Sequence, residues 1–78
     1  MIVWHVTTAK KLARYKVSGG ILPPVRAWET FQAAERFSKQ TGRKVLLRLN
    51  FPRSKAERLQ GHRGEAFVLN EKYTLTSV

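Results

Sequence analysis

The stretch Arg43-Lys44-Val45-Leu46-Leu47-Arg48-Leu49-Asn50-Phe51 carries the clearest pattern in the chain. Val45, Leu47, Leu49 and Phe51 recur with period two, which places them on one face of a β-strand; Lys44, Leu46, Arg48 and Asn50 take the other. Pro52 has no backbone N–H and ends the run. A strand with one apolar face needs a sheet and a layer packed against it, so the flanking segments are read as its partners.

Upstream, Thr30 is placed to cap a helix whose apolar stripe is Phe31, Ala34 and Phe37, with Ala33 beside it. Glu35 and Lys39 stand at i,i+4 in the favourable order, and Gly42 closes the helix. Residues Ile21 to Trp28 read as extended, because Pro23 and Pro24 fix φ and push the residue before them out of the helical region. Ile2 to Val6 is β-branched and aromatic, a strand. Thr7 or Thr8 then caps a short helix with apolar positions Ala9, Leu12, Ala13 and Val17, stopped by Ser18-Gly19-Gly20.

Downstream, Arg53 to Gly64 is polar, with one helical turn expected over Ser54 to Leu59. Glu65 to Leu69 reads as a strand and Tyr73 to Val78 as a weaker one. The expected order is β-α-α-β-β-β, an α+β domain spanning residues 1–78 as a single unit, with a mostly antiparallel sheet and two short helices. No repeat or linker interrupts it. At 78 residues the domain sits near the lower limit for folding without staples, so its stability is expected to be modest.

Composition narrows the partner. Fifteen Lys and Arg residues face five acids, all Glu, for a net charge of +10. Such a field attracts polyanions or acidic protein surfaces. The absence of cysteine excludes disulfides, thiolate metal sites and a Cys nucleophile. No apolar run is long enough to span a membrane and no signal peptide is recognisable, so a cytoplasmic location is expected.

The cations Lys10, Lys11 and Arg14 share a helical face, Lys44 and Arg48 a strand face, and Arg53, Lys55, Arg58 and Arg63 follow in the polar segment. Together they are the candidate nucleic-acid contacts, each phosphate contact adding a salt-dependent increment. Trp4, Tyr15, Trp28 and Phe51 offer stacking faces, although a core this small also needs them.

Two clusters are suited to chemistry. His5 stands near a strand end, where its ring can reach a cleft, with Thr7 able to bond a ligand or cap the next helix. Gly61-His62-Arg63-Gly64-Glu65 combines an acid, a base and a cation beside flexible backbone. Each also has a plain structural explanation: a half-buried histidine beside a cap, and a solvated hairpin loop. His5 and His62 without Cys or Asp make a poor ligand set, so no metal is expected. Of the carboxylates, Glu65 at a loop-to-strand boundary is the better catalytic candidate, while Glu35 suits a surface pair with Lys39.

The opening Val3-Trp4-His5-Val6-Thr7, with the short helix and Gly19-Gly20 that follow, resembles the start of small ADP-ribosyltransferase-fold proteins. That group includes RNA 2′-phosphotransferases and nucleic-acid-modifying toxins. Thr30 to Phe37 resembles the family's segment in which a small polar residue precedes a helix bearing an Ala and an aromatic. Gly64-Glu65-Ala66-Phe67-Val68-Leu69 resembles the late strand whose start carries the catalytic Glu. The resemblance implies NAD as the cofactor, His5, Thr7 and Arg63 as its contacts, and His5 and Glu65 as the catalytic pair. The expected function is a basic domain that binds or modifies nucleic acid. The alternative is a non-catalytic module, of the phage- or toxin-associated inhibitor type, that grips nucleic acid or an acidic protein surface.

Overall fold

The alternating stretch forms an edge strand, β4 (Val45–Asn50), paired antiparallel with the first strand, β1 (Ile2–Thr7), from Ile2↔Asn50 to Thr7↔Val45. The computed structural model describes residues 1–59 and 66–75. Between these strands lie helix α1 (Ala9–Ser18), the short β2 (Gly20–Ile21), β3 (Val25–Trp28) and helix α2 (Phe31–Thr41). After β4 come β5 (Ala56–Arg58), β6 (Ala66–Leu69) and β7 (Tyr73–Thr74). The main sheet has the order β4-β1-β3-β6-β5, and β2 and β7 form a second, two-stranded sheet. Every pairing is antiparallel, so the protein is α+β with a mostly antiparallel sheet and two helices.

The local signals for both helices hold. Thr8 Oγ1 accepts from the Lys11 amide and Thr30 Oγ1 from the Ala33 amide, each at 3.2 Å. Gly19 (φ 78°) and Gly42 (φ 72°) end the helices in the left-handed region, where a Cβ is unfavourable. Lys39 pairs with Glu35 at 3.7 Å.

Two segments differ from expectation, and the last strand is present as far as Thr74. The extended segment after the prolines contributes β3 to the middle of the sheet, with Val25 and Ala27 buried. Prolines 23 and 24 lack donors, but the four residues after them keep theirs and pair with β6 from Val25↔Leu69 to Trp28↔Ala66. The helical turn expected over Ser54 to Leu59 is a turn followed by β5: the Lys55 and Ala56 amides both donate to the Pro52 carbonyl, and residues 56–58 then pair with β6. The pairing outweighs a helical preference that a segment this short cannot sustain alone. Of the expected last strand, Tyr73–Thr74 pairs with β2, and residues 76–78 lie outside the described residues.

Alternation sorts the sheet into two faces. Val3, Val25, Ala27, Leu49, Phe67 and Leu69 point to one side and form the core with Ile21 and Phe51, against which Tyr15 and Tyr73 pack. Trp4 and Trp28 point to the other side, where α2 covers them: Trp4 meets Phe31 edge-on at 5.2 Å and Trp28 meets Phe37 at 5.3 Å. Ala33 and Ala34 are buried there, their small size letting α2 approach the sheet. In α1 the expected stripe fails: Val17 is 89% exposed and no residue of that helix is fully buried. Its inward stripe has another composition, set by the cleft it faces.

Candidate functional site

Among the described residues, β1 and β3 are in register at Trp4↔Trp28 alone. Beyond that pair a side chain bridges the strands: His5 Nδ1 lies 2.6 Å from the Arg26 carbonyl oxygen. Next to this parting lies a cleft of about 780 Å³, within the size range of small-molecule sites. His5 and Thr7 sit on one wall. On another, Lys11, Arg14, Tyr15 and Ser18 of α1 stand at i, i+3, i+4 and i+7. Arg26 and Trp28 of β3, with Phe37 and Arg43, complete the polar and aromatic lining.

The hydrogen bonds at the cleft have a single consistent direction. A carbonyl only accepts, so His5 Nδ1 carries the proton and donates to Arg26. In the neutral ring Nε2 is then a bare acceptor, and the Tyr15 hydroxyl 3.2 Å away donates to it. Thr7 Oγ1, 3.2 Å from the same phenol oxygen, donates to Tyr15 in turn. Thr7 is 1% exposed, so this bond satisfies a hydroxyl that would otherwise be buried without a partner.

Burial holds the His5 pKa below its ordinary 6.5, and the positive charges of Lys11 and Arg43 push the same way; only the bond to the Arg26 carbonyl opposes them. His5 is therefore neutral at pH 7. Arg43 owes its place to the end of α2: Gly42 turns the chain and the Ser38 hydroxyl donates to the Arg43 carbonyl.

Four cations (Lys11, Arg14, Arg26 and Arg43) surround this space, and no carboxylate lines it among the described residues. Charges of one sign gathered on a concave surface give it a positive potential. Trp28 and Phe37 add flat apolar surface suited to a planar ring. Among the described residues no group of three His, Asp or Glu is placed to hold a metal ion, and no helix is long and apolar enough to cross a membrane.

The structure brings together His5, Thr7, Lys11 and Arg14 of the residues singled out in the sequence. It places the other described cations elsewhere. Lys10 is exposed on α1, and Lys44 is exposed before β4. Arg48 pairs across from Trp4 on the α2 side of the sheet. Arg53 is exposed in the turn after Pro52. Lys55 is ion-paired with Glu71 at 3.2 Å, and Arg58 lies over the Phe67 ring at 5.4 Å. Of the stacking candidates, Phe51 is core and Trp4 packs on Phe31, leaving Tyr15 and Trp28 at the cleft.

Gly61-His62-Arg63-Gly64-Glu65 lies outside the described residues. The residues flanking that region, Leu59 and Ala66, do line the cleft, and the Leu59 amide donates to the Ala66 carbonyl at 3.1 Å.

Arg26 and Arg43 are charged cleft residues that sequence reading passed over, and Tyr15 was singled out only as a stacking face. For Tyr15 a signal existed, since Lys11, Arg14, Tyr15 and Ser18 share one helical stripe. Compared with known proteins, the chain matches no family model, no curated protein and no solved structure.

Proposed function

We propose that the cleft binds a nucleotide-type ligand and that the protein is a small basic domain of the ADP-ribosyltransferase kind, acting on or gripping nucleic acid. The observation that carries this reading is the chain of His5, Tyr15 and Thr7 inside a cleft bordered by Lys11, Arg14, Arg26 and Arg43. Cations supply phosphate contacts by charge-assisted hydrogen bonds. Trp28 and Phe37 supply a surface for a base or a nicotinamide ring.

In the catalytic form, His5 and Thr7 would support the wall against which NAD is oriented, the buried Thr7 acting through Tyr15, and Arg63, outside the described residues, would contact the pyrophosphate. Glu65 then stabilises the oxocarbenium-like ribose as nicotinamide leaves, and cations outside the cleft hold the nucleic-acid acceptor. Isothermal titration with NAD and with ADP tests this. Heat with both, together with loss of NAD turnover in Glu65→Ala, supports the catalytic form. No heat with either ligand overturns the nucleotide-binding reading.

A specific observation favours the second reading, a binding module without chemistry: the described part of the cleft has cations and no carboxylate. On this reading affinity for an oligonucleotide falls steeply between low and moderate salt, as counterion release requires. Heat with ADP, a steep salt dependence and no NAD turnover would assign this form. Oligonucleotide binding that is absent at all salt concentrations would point to an acidic protein partner.

A further inference from the structure

We propose that Tyr15 is a positioning residue: its hydroxyl, held by Thr7, meets Nε2 of His5 and couples proton uptake there to anion binding in the cleft. This rests on the reading of the cleft as an anion site. It goes beyond that reading by assigning a role to a residue that the resemblance does not mark.

The argument starts from proton bookkeeping. With His5 neutral, every proton in the chain is directed inward: Thr7 to Tyr15, Tyr15 to His5 Nε2, and His5 Nδ1 to Arg26. None of these groups then offers a hydroxyl donor to the cleft. When Nε2 takes up a proton from water, it becomes a donor to the Tyr15 oxygen. Tyr15 can no longer donate to it, so the phenol proton turns either to the Thr7 oxygen or to the cleft. One proton uptake therefore adds a positive charge to the wall of this space and reverses the bond between Nε2 and Tyr15.

The surroundings make this switch responsive to an anion. Facing His5 are Lys11, Arg14 and Tyr15 from α1, Arg26 from β3, Arg43 from the turn after α2, and Thr7 from its own strand; β4 presents Leu47, which is uncharged. An anion seated among these cations offsets their repulsion of a His5 charge. By linkage, an anion that favours protonated His5 is itself bound more tightly as pH falls. One coupled proton sets the limit at about tenfold in affinity per pH unit.

The test uses sodium sulfate, a dianion whose own charge is constant between about pH 5 and 8, the range in which a histidine titrates. Proton–nitrogen correlation spectra report the His5 tautomer and its titration midpoint, with the signals assigned by their loss in His5→Gln. The expected results are a proton on Nδ1 in the neutral ring, a midpoint that sulfate raises, and a midpoint that Tyr15→Phe lowers without sulfate. The last follows because the protonated ring loses a charge-assisted bond to the Tyr15 oxygen, which is stronger than the bond the neutral ring loses. Tyr73→Phe deletes a hydroxyl that accepts from the Asn50 amide outside the cleft, and it should leave the midpoint where it is.

A proton on Nε2 in the neutral wild-type ring overturns the proposal. So does a midpoint that sulfate does not move, or one that Tyr15→Phe leaves unchanged. If Tyr15→Phe does not fold, the two wild-type measurements decide. If sulfate shifts the Trp28 indole signal while the His5 midpoint stays fixed, the coupling fails and the anion site stands. If sulfate moves neither, the anion site fails with it.

Discussion

His5 Nδ1 meets the Arg26 carbonyl oxygen at 2.6 Å, joining two strands whose registered backbone pairing is confined to Trp4 and Trp28. A histidine in this position is part of the sheet and part of the cleft at once. Its protonation state therefore bears on folding as well as on binding.

The first consequence is a dependence of stability on pH. In the unfolded chain His5 titrates at its ordinary 6.5, whereas burial and the nearby Lys11 and Arg43 hold it lower in the fold. Above 6.5 both states are neutral and the difference has no effect. As pH falls through 6.5 the unfolded chain binds a proton that the fold resists, so stability declines until the folded value is passed. Urea unfolding across this range should show the decline in the wild type and a shallower one in His5→Gln. Equal slopes would place the acid sensitivity elsewhere.

Ligand affinity should separate the cations by position. Arg43→Ala and Arg26→Ala each remove a charged donor from the cleft and should weaken ADP binding by about 1.5–3 kcal/mol, roughly 10- to 100-fold. Arg53→Ala, in the turn after Pro52, should leave it unchanged. Calorimetric titration of the three variants makes the comparison. Equal losses in all three would mean that the field of the whole molecule, and not the cleft, holds the ligand.

Gly20 tests the junction between α1 and the small sheet. A Cβ at this position would fall onto the Tyr73 carbonyl oxygen and within 2.9 Å of the Lys72 Cε. Backbone cannot yield as a side-chain tip can, so Gly20→Ala should destabilise by about 1–3 kcal/mol. At Gly19 nothing crowds a Cβ, and the cost of Gly19→Ala is that of φ 78° alone, about 1–2 kcal/mol. Thermal unfolding of both variants separates steric from torsional cost. A Gly20→Ala protein as stable as wild type would contradict the close approach of β7.

Phe51 measures how much margin the core has. It is 1% exposed and packs against Tyr73 at 5.9 Å. Phe51→Ala should cost about 3–5 kcal/mol, a large share of the roughly 5–15 kcal/mol that small domains possess. Circular dichroism should show the variant partly unfolded at room temperature, and recovery on adding a cleft ligand would confirm that the cleft forms with the core.

The elements legible in the sequence are those specified by neighbours along the chain. The period of residues 43–51, the Thr30 cap, Gly19, Gly42 and the Glu35–Lys39 pair all depend on spacings of four residues or fewer, and all are present. Strand β3 was hidden by the prolines before it, because its pairing comes from residues far along the chain, Trp4 on one side and Ala66 to Leu69 on the other. The stripe of α1 misled for a more instructive reason. Apolar residues were assigned to its inner face, but that face lines a cleft and carries Lys11, Arg14 and Tyr15. Of the candidate site, His5 and Thr7 were visible at a strand end. Tyr15, Arg26 and Arg43 join them only because α1 folds back on β1, β3 parts from β1, and Gly42 turns the chain into β4.

The α1 cations that line the cleft leave its charge unbalanced among the described residues. Lys11 and Arg14 face Arg26 and Arg43 across a space whose described lining contains no counter-charge. A bound polyanion would then do the work that buried acids do in other small folds, cancelling repulsion between elements that must pack side by side. On that reading occupancy and folding would be linked, and high salt, which would strip the ligand, would also supply mobile ions in its place.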